Sequence, residues 1–407
     1  MKFPRFNAAG IRLAMMAIAL PLHAHSALTA QEVADKAERH SSKTIAAQAG
    51  IEAAQAQREL AAAWPNPELG FSFDDTGTED ESRSLQLTQR IELGGKASRR
   101  VRAATAHYRT AEATLQQTVI DVRIDAAKAF HELALAELRL REARASGDIA
   151  AQFSQALARK LAAGKVPPID ATKARLAELT AATELKNAER QHRLAQRRLE
   201  QLIGEPLPEE GHALPALPPA PPSSAEARQQ LMLSPQTRLS QLRVESSEAE
   251  VGLQDGQRWP DLQLSAGVKE TVASGERGGL FGIAIEIPLF NWNNSGVSAA
   301  KAKLRQAQAE QQSQLRERDL LVQSLHAELI DLVERIHLYQ SDIIPAAEAA
   351  VSAARTGYDY GRHAFIDVLD AQRSLLAARS ERTDLWQQYL DRLAQFEREL
   401  GIGVISQ

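Results

Sequence analysis

Two rhythms of apolar and polar positions alternate along the 407-residue chain. The first is a heptad seam, Leu115, Val119, Val122, Ala126, Ala129, Leu133, Ala136 and Leu140, which Val322, Leu325, Leu329, Leu332, Ile336 and Tyr339 repeat later. Apolar residues at this spacing share one helix face, and alanines let neighbouring helices approach closely. The seam predicts long antiparallel coiled-coil helices. From Lys96 to Ala163 the pattern is interrupted only near Gly147. A helix of that extent runs roughly 100 Å at about 1.5 Å per residue. Pro345 falls near the equivalent place in the second half, so both long helices are expected to bend or break at mid-length.

The second rhythm has period two. Leu69, Phe71 and Phe73 alternate with Gly70, Ser72 and Asp74, and Leu85, Leu87, Gln89, Ile91 and Leu93 alternate with Gln86, Thr88, Arg90 and Glu92. Leu262, Leu264, Ala266 and Val268 do the same, as do Phe281, Ile283, Ile285 and Ile287. Strands are predicted at about 67–75, 84–93, 261–270 and 280–289. Segments of about ten residues, apolar on one side only, are the signature of strands crossing an outer membrane. Ordinary hairpins on a soluble core would show a similar pattern. Four strands cannot close a barrel in lipid, however, so a membrane role demands several copies of the chain.

The rhythms are written twice. WPNPELGFSF (64–73) resembles WPDLQLSAGV (259–268), and QRIELGGKASRRVRAA (89–104) matches IEIPLFNWNNSGVSAA (285–300). LAAGKVPPIDATKARL (161–176) matches YDYGRHAFIDVLDAQR (358–373), at an offset that stays near 195–197. Between the halves, the proline density of EPLPEEGHALPALPPAPPSSAEA forbids a regular helix and favours an extended connector. The organisation expected is a first repeat over 27–204, a connector over 205–225 and a second repeat over 226–407.

Residues 1–26 carry Lys2, Arg5 and Arg12 before the short apolar run LAMMAIALPL, with small residues around Ala24–Ala27. This is the pattern of a secretory signal, and the run is too short to span a bilayer comfortably. Its removal would take the formal charge from −4 to −7. Nothing in that balance favours nucleic acid. With no cysteine, an exported chain would fold without disulfides or a cysteine-linked lipid. Aromatic residues at 5% suit packed helices better than a large globular core.

Together these features resemble the TolC-like outer-membrane efflux family, and the resemblance covers nearly the whole chain after the signal. It rests most on WPNPEL (64–69), IPLFNWNNSGVSAAKAKLRQAQAE (287–310) and GYDYGRHAFIDVLDAQRSLLAA (357–378). QRIELGGKASRR (89–100) and the second of these resemble the cobalt–zinc–cadmium branch in particular. The resemblance implies a mainly α protein with a small β part. Three copies would close a twelve-stranded barrel and extend their helices as an α-barrel across the periplasm. It also implies a passive channel served by a periplasmic adaptor and an inner-membrane pump, in the outer membrane of a Gram-negative bacterium. Gln86, Arg90, Gln263 and Lys269 would then face the lumen.

Enzymatic motifs are missing from the sequence: there is no phosphate-cradling glycine loop, nucleophile elbow or HExxH. No cofactor or tight metal site is expected, since conduction needs binding weak enough to release. The family pattern instead points to the periplasmic aperture, with Asp170, Asp367 and Asp370 ringing it. Tyr358 matches a tyrosine that links neighbouring helices there. His363 stands where an arginine is expected, beside Arg362, and would allow closure to respond to pH near neutrality. Asp170 and Asp367 are repeat equivalents and could simply cap helices, whereas Asp370 has Lys173 as its counterpart. Export of metal cations is the leading expectation. Export of organic compounds by a similar channel, or a pore-less periplasmic coiled-coil adaptor, are the alternatives.

Overall fold

The computed structural model describes residues 28–74, 81–207, 214–215, 217–272 and 274–402. The export segment, most of the first strand-to-strand loop and the middle of the connector lie outside the described residues. The chain runs α1 (Ala30–His40), α2 (Ser42–Ala62), β1 (Glu68–Asp74), β2 (Ser82–Glu92), α3 (Lys96–Ala162) and α4 (Pro168–Ile203). It then repeats: α5 (Ser224–Leu233), α6 (Pro235–Gly256), β3 (Asp261–Thr271), β4 (Arg277–Ile285), α7 (Asn294–Leu338), a π-helical turn (Tyr339–Ile343), α8 (Ile344–Asp359) and α9 (Phe365–Leu400).

Each half opens with a capping box: Thr29 with Glu32 before α1, and Ser223 with Glu226 before α5. The side-chain oxygens take up amide hydrogens that the first helical turn leaves unpaired. Each half also has an elbow, Ser41 between α1 and α2 and Ser234 between α5 and α6. The main core lies where the long helices meet, and Ile124, Leu133, Leu325, Leu329, Leu385 and Tyr389 are fully buried in it. The heptad residues from Val122 to Leu140 and from Val322 to Ile336 belong to the buried face. Burial raises the Tyr389 hydroxyl well above the usual tyrosine range, with Glu397 adding to it; that hydroxyl donates to the connector's Pro219 carbonyl at 2.8 Å.

The expectation of two interrupted helices holds in one half only. α3 passes through Gly147 without a break. A glycine lowers helix propensity by about 1 kcal/mol but removes no hydrogen bond, and flanking turns hold it in register. In the second half the interruption is the π turn just before Pro345. Proline has no N–H and its ring crowds the carbonyl one turn back. The wider turn, in which the Ile344 amide donates to the Tyr339 carbonyl five residues earlier, makes room for it.

All four strands pair antiparallel in the order β1-β2-β3-β4. β4 begins at Arg277, earlier than the alternation suggests, and ends before Pro288, whose ring cannot donate to a ladder. The register places Leu69, Leu87, Ala266 and Phe281 in one cross-strand row, and Phe71, Leu85 and Val268 in the next. One face is therefore apolar from edge to edge. The other carries small and polar residues.

Candidate functional site

Both coiled-coil hairpins end in the same kind of turn. Gly164 after α3 and Gly361 after α8 take φ of 68° and 71°, a left-handed conformation that a side chain makes costly. The Lys165 amide donates to the Lys160 carbonyl at 2.9 Å, and the Arg362 amide to the Gly357 carbonyl at 2.8 Å. These are helix-ending Schellman turns, and they satisfy the last carbonyls.

The tips separate the three aspartates. Asp367 accepts the Ala364 amide at 3.0 Å and caps α9. Asp170 makes no such cap, because the N-cap of α4 is Pro167, which has no amide hydrogen to donate to it. Asp370 is exposed and lies 3.6 Å from Arg373 on its own helix, a surface pair of little energetic weight.

His363 lies with Nδ1 3.8 Å from the Asp367 carboxylate, and its ring covers Gly357. A Cβ at residue 357 would sit 1.8 Å from that ring, so the glycine is what lets the imidazole lie on α8. Among the described residues, no hydrogen bond or ring contact joins the Tyr358 side chain to His363 or Arg362. Its hydroxyl accepts from Lys160 Nζ at 3.2 Å, and the same ammonium lies 4.5 Å from the ring centroid. The ring stands edge-on to Phe365, which packs on Phe153 of α3. Phe365, Leu157, Ala174 and Leu369 form a small buried cluster that joins the two hairpins. Lys160 was not singled out by sequence reasoning. In ARKLAAGK it looks like an ordinary basic residue at a helix C-terminus, and only its match to Gly357 in the other repeat marks it as different.

Above the tips, a cavity of about 260 Å³ opens between α3, α4, α8 and α9, lined by Glu142, Leu176, Leu369 and Arg379 among others. Burial pushes the Glu142 carboxyl above its ordinary range although Arg382 donates to it at 2.6 Å.

In the sheet, Gln86, Arg90, Gln263 and Lys269 all lie on the polar face. Arg90 stands opposite Gln263 and 3.9 Å from Glu68, and Lys269 stands opposite Ser84. On the apolar face Phe281 is 86% exposed, Ile283 77% and Leu69 71%. Trp64, Trp259 and Trp292 are exposed where the strands meet the helices. An apolar band with aromatics at its rim is what a lipid bilayer requires of a barrel wall.

A one-sided apolar sheet carried on two matched pairs of long helices defines the class: an outer-membrane channel built from repeats. Residues 33–205 and 227–401 match the outer membrane efflux protein family, and the chain belongs to it. It is 33% identical over 343 residues to the cobalt–zinc–cadmium resistance protein CzcC of Cupriavidus metallidurans, spanning 83% of this chain and 81% of that one. The nickel and cobalt resistance protein CnrC of the same organism is 27% identical, over 75% of this chain and 74% of its own. Among solved structures, the outer membrane protein VceC of Vibrio cholerae superposes with a TM-score of 0.76 at 21% identity, covering 93% of this chain and 97% of VceC. A crystal structure of CusC gives 0.75 at 19% identity, covering 92% of this chain and 91% of that one.

Proposed function

We propose that this chain is the outer-membrane exit duct of a tripartite efflux system that exports heavy-metal cations such as cobalt, zinc, cadmium or nickel. The observation that carries the reading is the similarity to CzcC across more than four-fifths of both chains. The sheet supports the same conclusion. β1 and β4 each have one unpaired edge among the described residues. An open edge is not viable in lipid, so three copies close twelve strands, β4 of one copy against β1 of the next. Gln86, Arg90, Gln263 and Lys269 then line the lumen, and the long helices extend into the periplasm.

The duct is passive. A periplasmic adaptor joins it to an inner-membrane pump, which selects the substrate and supplies the energy. The hairpin tips form the aperture, with Tyr358, His363 and Arg362 around the second turn and Asp170 near the first. Three copies of Asp370 present a ring of carboxylates that favours cations. Asp367 stands one helical turn away, with one oxygen committed to its cap.

The test is growth of a deletion strain on zinc, cobalt, cadmium and nickel, set against dyes and detergents. Metal sensitivity that the wild-type chain complements is the expected result. Sensitivity to the organic compounds alone would overturn the metal assignment.

A further inference from the structure

Two faces of the protomer remain uncovered, and they match. α4 packs mainly on α3 and α1, while α8 packs mainly on α9 and the π turn, so these helices form opposite lateral edges of the tube wall. The buried side of α4 is Ala174, Ala181, Ala188 and Leu199. On the reverse side, at helical spacing, Leu176, at the rim of the cavity above the tips, and Leu179 are exposed, followed by Lys186, Arg190, Arg193 and Arg197. Among the described residues none of these four cations forms an ion pair; Arg190 reaches only Asn187, at 3.5 Å.

The opposite edge carries the complement at the same heights. Position along each hairpin can be counted from its tip glycine, Gly164 or Gly361. Leu176 and Leu179 lie 12 and 15 residues from the tip (176 − 164; 179 − 164), and so do Ala349 and Ala346 (361 − 349; 361 − 346). Arg190 and Glu334 lie 26 and 27 residues away, and Arg193 and Asp331 lie 29 and 30. Ala346, Ala349, Asp331 and Glu334 are all exposed, on the side of α7 and α8 turned away from Leu329, Leu332 and Ile336. Asp331 has one loose partner, Arg335 at 3.6 Å on its own helix.

Resting on the trimeric reading above, we infer that α4 of one copy docks on the α7–α8 edge of a second copy. Leucines enter an alanine-lined groove near the tips, and a row of cations meets a row of carboxylates further up. The occupant is fixed by complementarity: large against small and positive against negative at equal heights, on edges that a closed ring must bring together. The same seam sets the vertical register of the tube. A slip of one heptad would set Arg193 beside Leu338 and bring Asp331 against Glu200.

The chain has no cysteine, so disulfide trapping is direct. Arg193→Cys with Asp331→Cys, oxidised in isolated outer membranes, should give covalent dimers and trimers on a non-reducing gel. Arg193→Cys with Leu338→Cys, one heptad out of register, should stay monomeric. In parallel, Arg190→Glu with Arg193→Glu should lower the yield of heat-resistant trimer at least tenfold, and adding Asp331→Arg with Glu334→Arg should restore it. A wild-type trimer by mass in which the in-register pair does not cross-link, or cross-links no better than the shifted pair, would overturn the seam and leave the duct intact. A wild-type monomer in detergent would overturn the trimeric reading itself, and the seam with it.

Discussion

Arg123 and Arg318 sit at nearly the same height on α3 and α7, yet they hold different things: at the local offset of 196 residues Arg123 matches Asp319, and Arg318 matches Val122. Arg123 reaches from α3 to two carboxylates of α1, Asp35 at 2.5 Å and Glu38 at 2.8 Å, with a fifth of its side chain in solvent. Arg318 is nearly buried. It donates to the Glu399 carboxylate and carbonyl, each at 2.6 Å, and to Thr237 and Ser234 at 2.9 and 3.0 Å. The first arginine ties one helix to another at the surface. The second pins the elbow of its half to the end of α9, inside the protein. Duplication has kept the architecture and changed the residues at these points, Val122 against Arg318 and Arg123 against Asp319, so the two halves carry unequal loads on the same frame.

The widest test of this inequality is to remove both arginines in turn. Arg318→Met leaves the Glu399 carboxylate without its arginine in a nearly dry site, while the Ser234 and Thr237 hydroxyls keep their bond to each other, and should cost about 3–5 kcal/mol. Arg123→Met exposes its carboxylates to water and should cost about 1 kcal/mol or less. Thermal unfolding of the two variants in detergent, beside wild type, measures the difference. Equal losses would break the comparison.

A smaller effect is expected where the halves meet. Lys160 and Gly357 occupy equivalent positions, each supplying the carbonyl that closes its tip turn. The lysine extends across to Tyr358, and the glycine leaves room for His363. Lys160→Met keeps the aliphatic stem and removes the ammonium, while Tyr358→Phe removes only the hydroxyl. Each should cost no more than about 1 kcal/mol, as exposed cation–π pairs do. A double-mutant cycle should show the two losses to be less than additive. Full additivity would mean that the ammonium and hydroxyl act separately and that the hairpins are joined by the apolar cluster around Phe365.

The same contrast explains what the sequence could and could not reveal. Heptads and strand alternation are local and periodic, so the buried faces of α3 and α7 and the apolar face of the sheet were legible from spacing. Gly147 and Pro345 look alike as helix breakers. Only one forces a change, because proline deletes a donor and clashes while glycine does neither. The Lys160–Tyr358 contact joins residues 198 positions apart and leaves no local pattern. Arg318 sits among RERDLL and reads as solvated charge. Its burial follows from the elbow at Ser234, which brings two hydroxyls to it. The heptad spacing held the one available signal, since Arg318 falls four residues before Val322 on the buried seam, where Val122 stands in the first half.

The aspartates give the finest version of the comparison, and the smallest expected change in stability. Asp367→Asn weakens the cap on Ala364 and should lower stability by about 1 kcal/mol or less, because asparagine still accepts an amide hydrogen. Asp170→Asn should be silent, since Pro168 already fits the first turn of α4 without a side-chain acceptor. Asp370→Asn removes only an exposed pair with Arg373 and should also leave the melting temperature unchanged. Its effect should appear elsewhere. If three copies of Asp370 ring the aperture, the neutral variant loses three negative charges at one level of the tube. Block of single-channel current by multivalent cations should then weaken in Asp370→Asn and persist in Asp170→Asn. Equal block in both would return Asp370 to the solvated face of α9, as its partner at Lys173 in the first half would suggest.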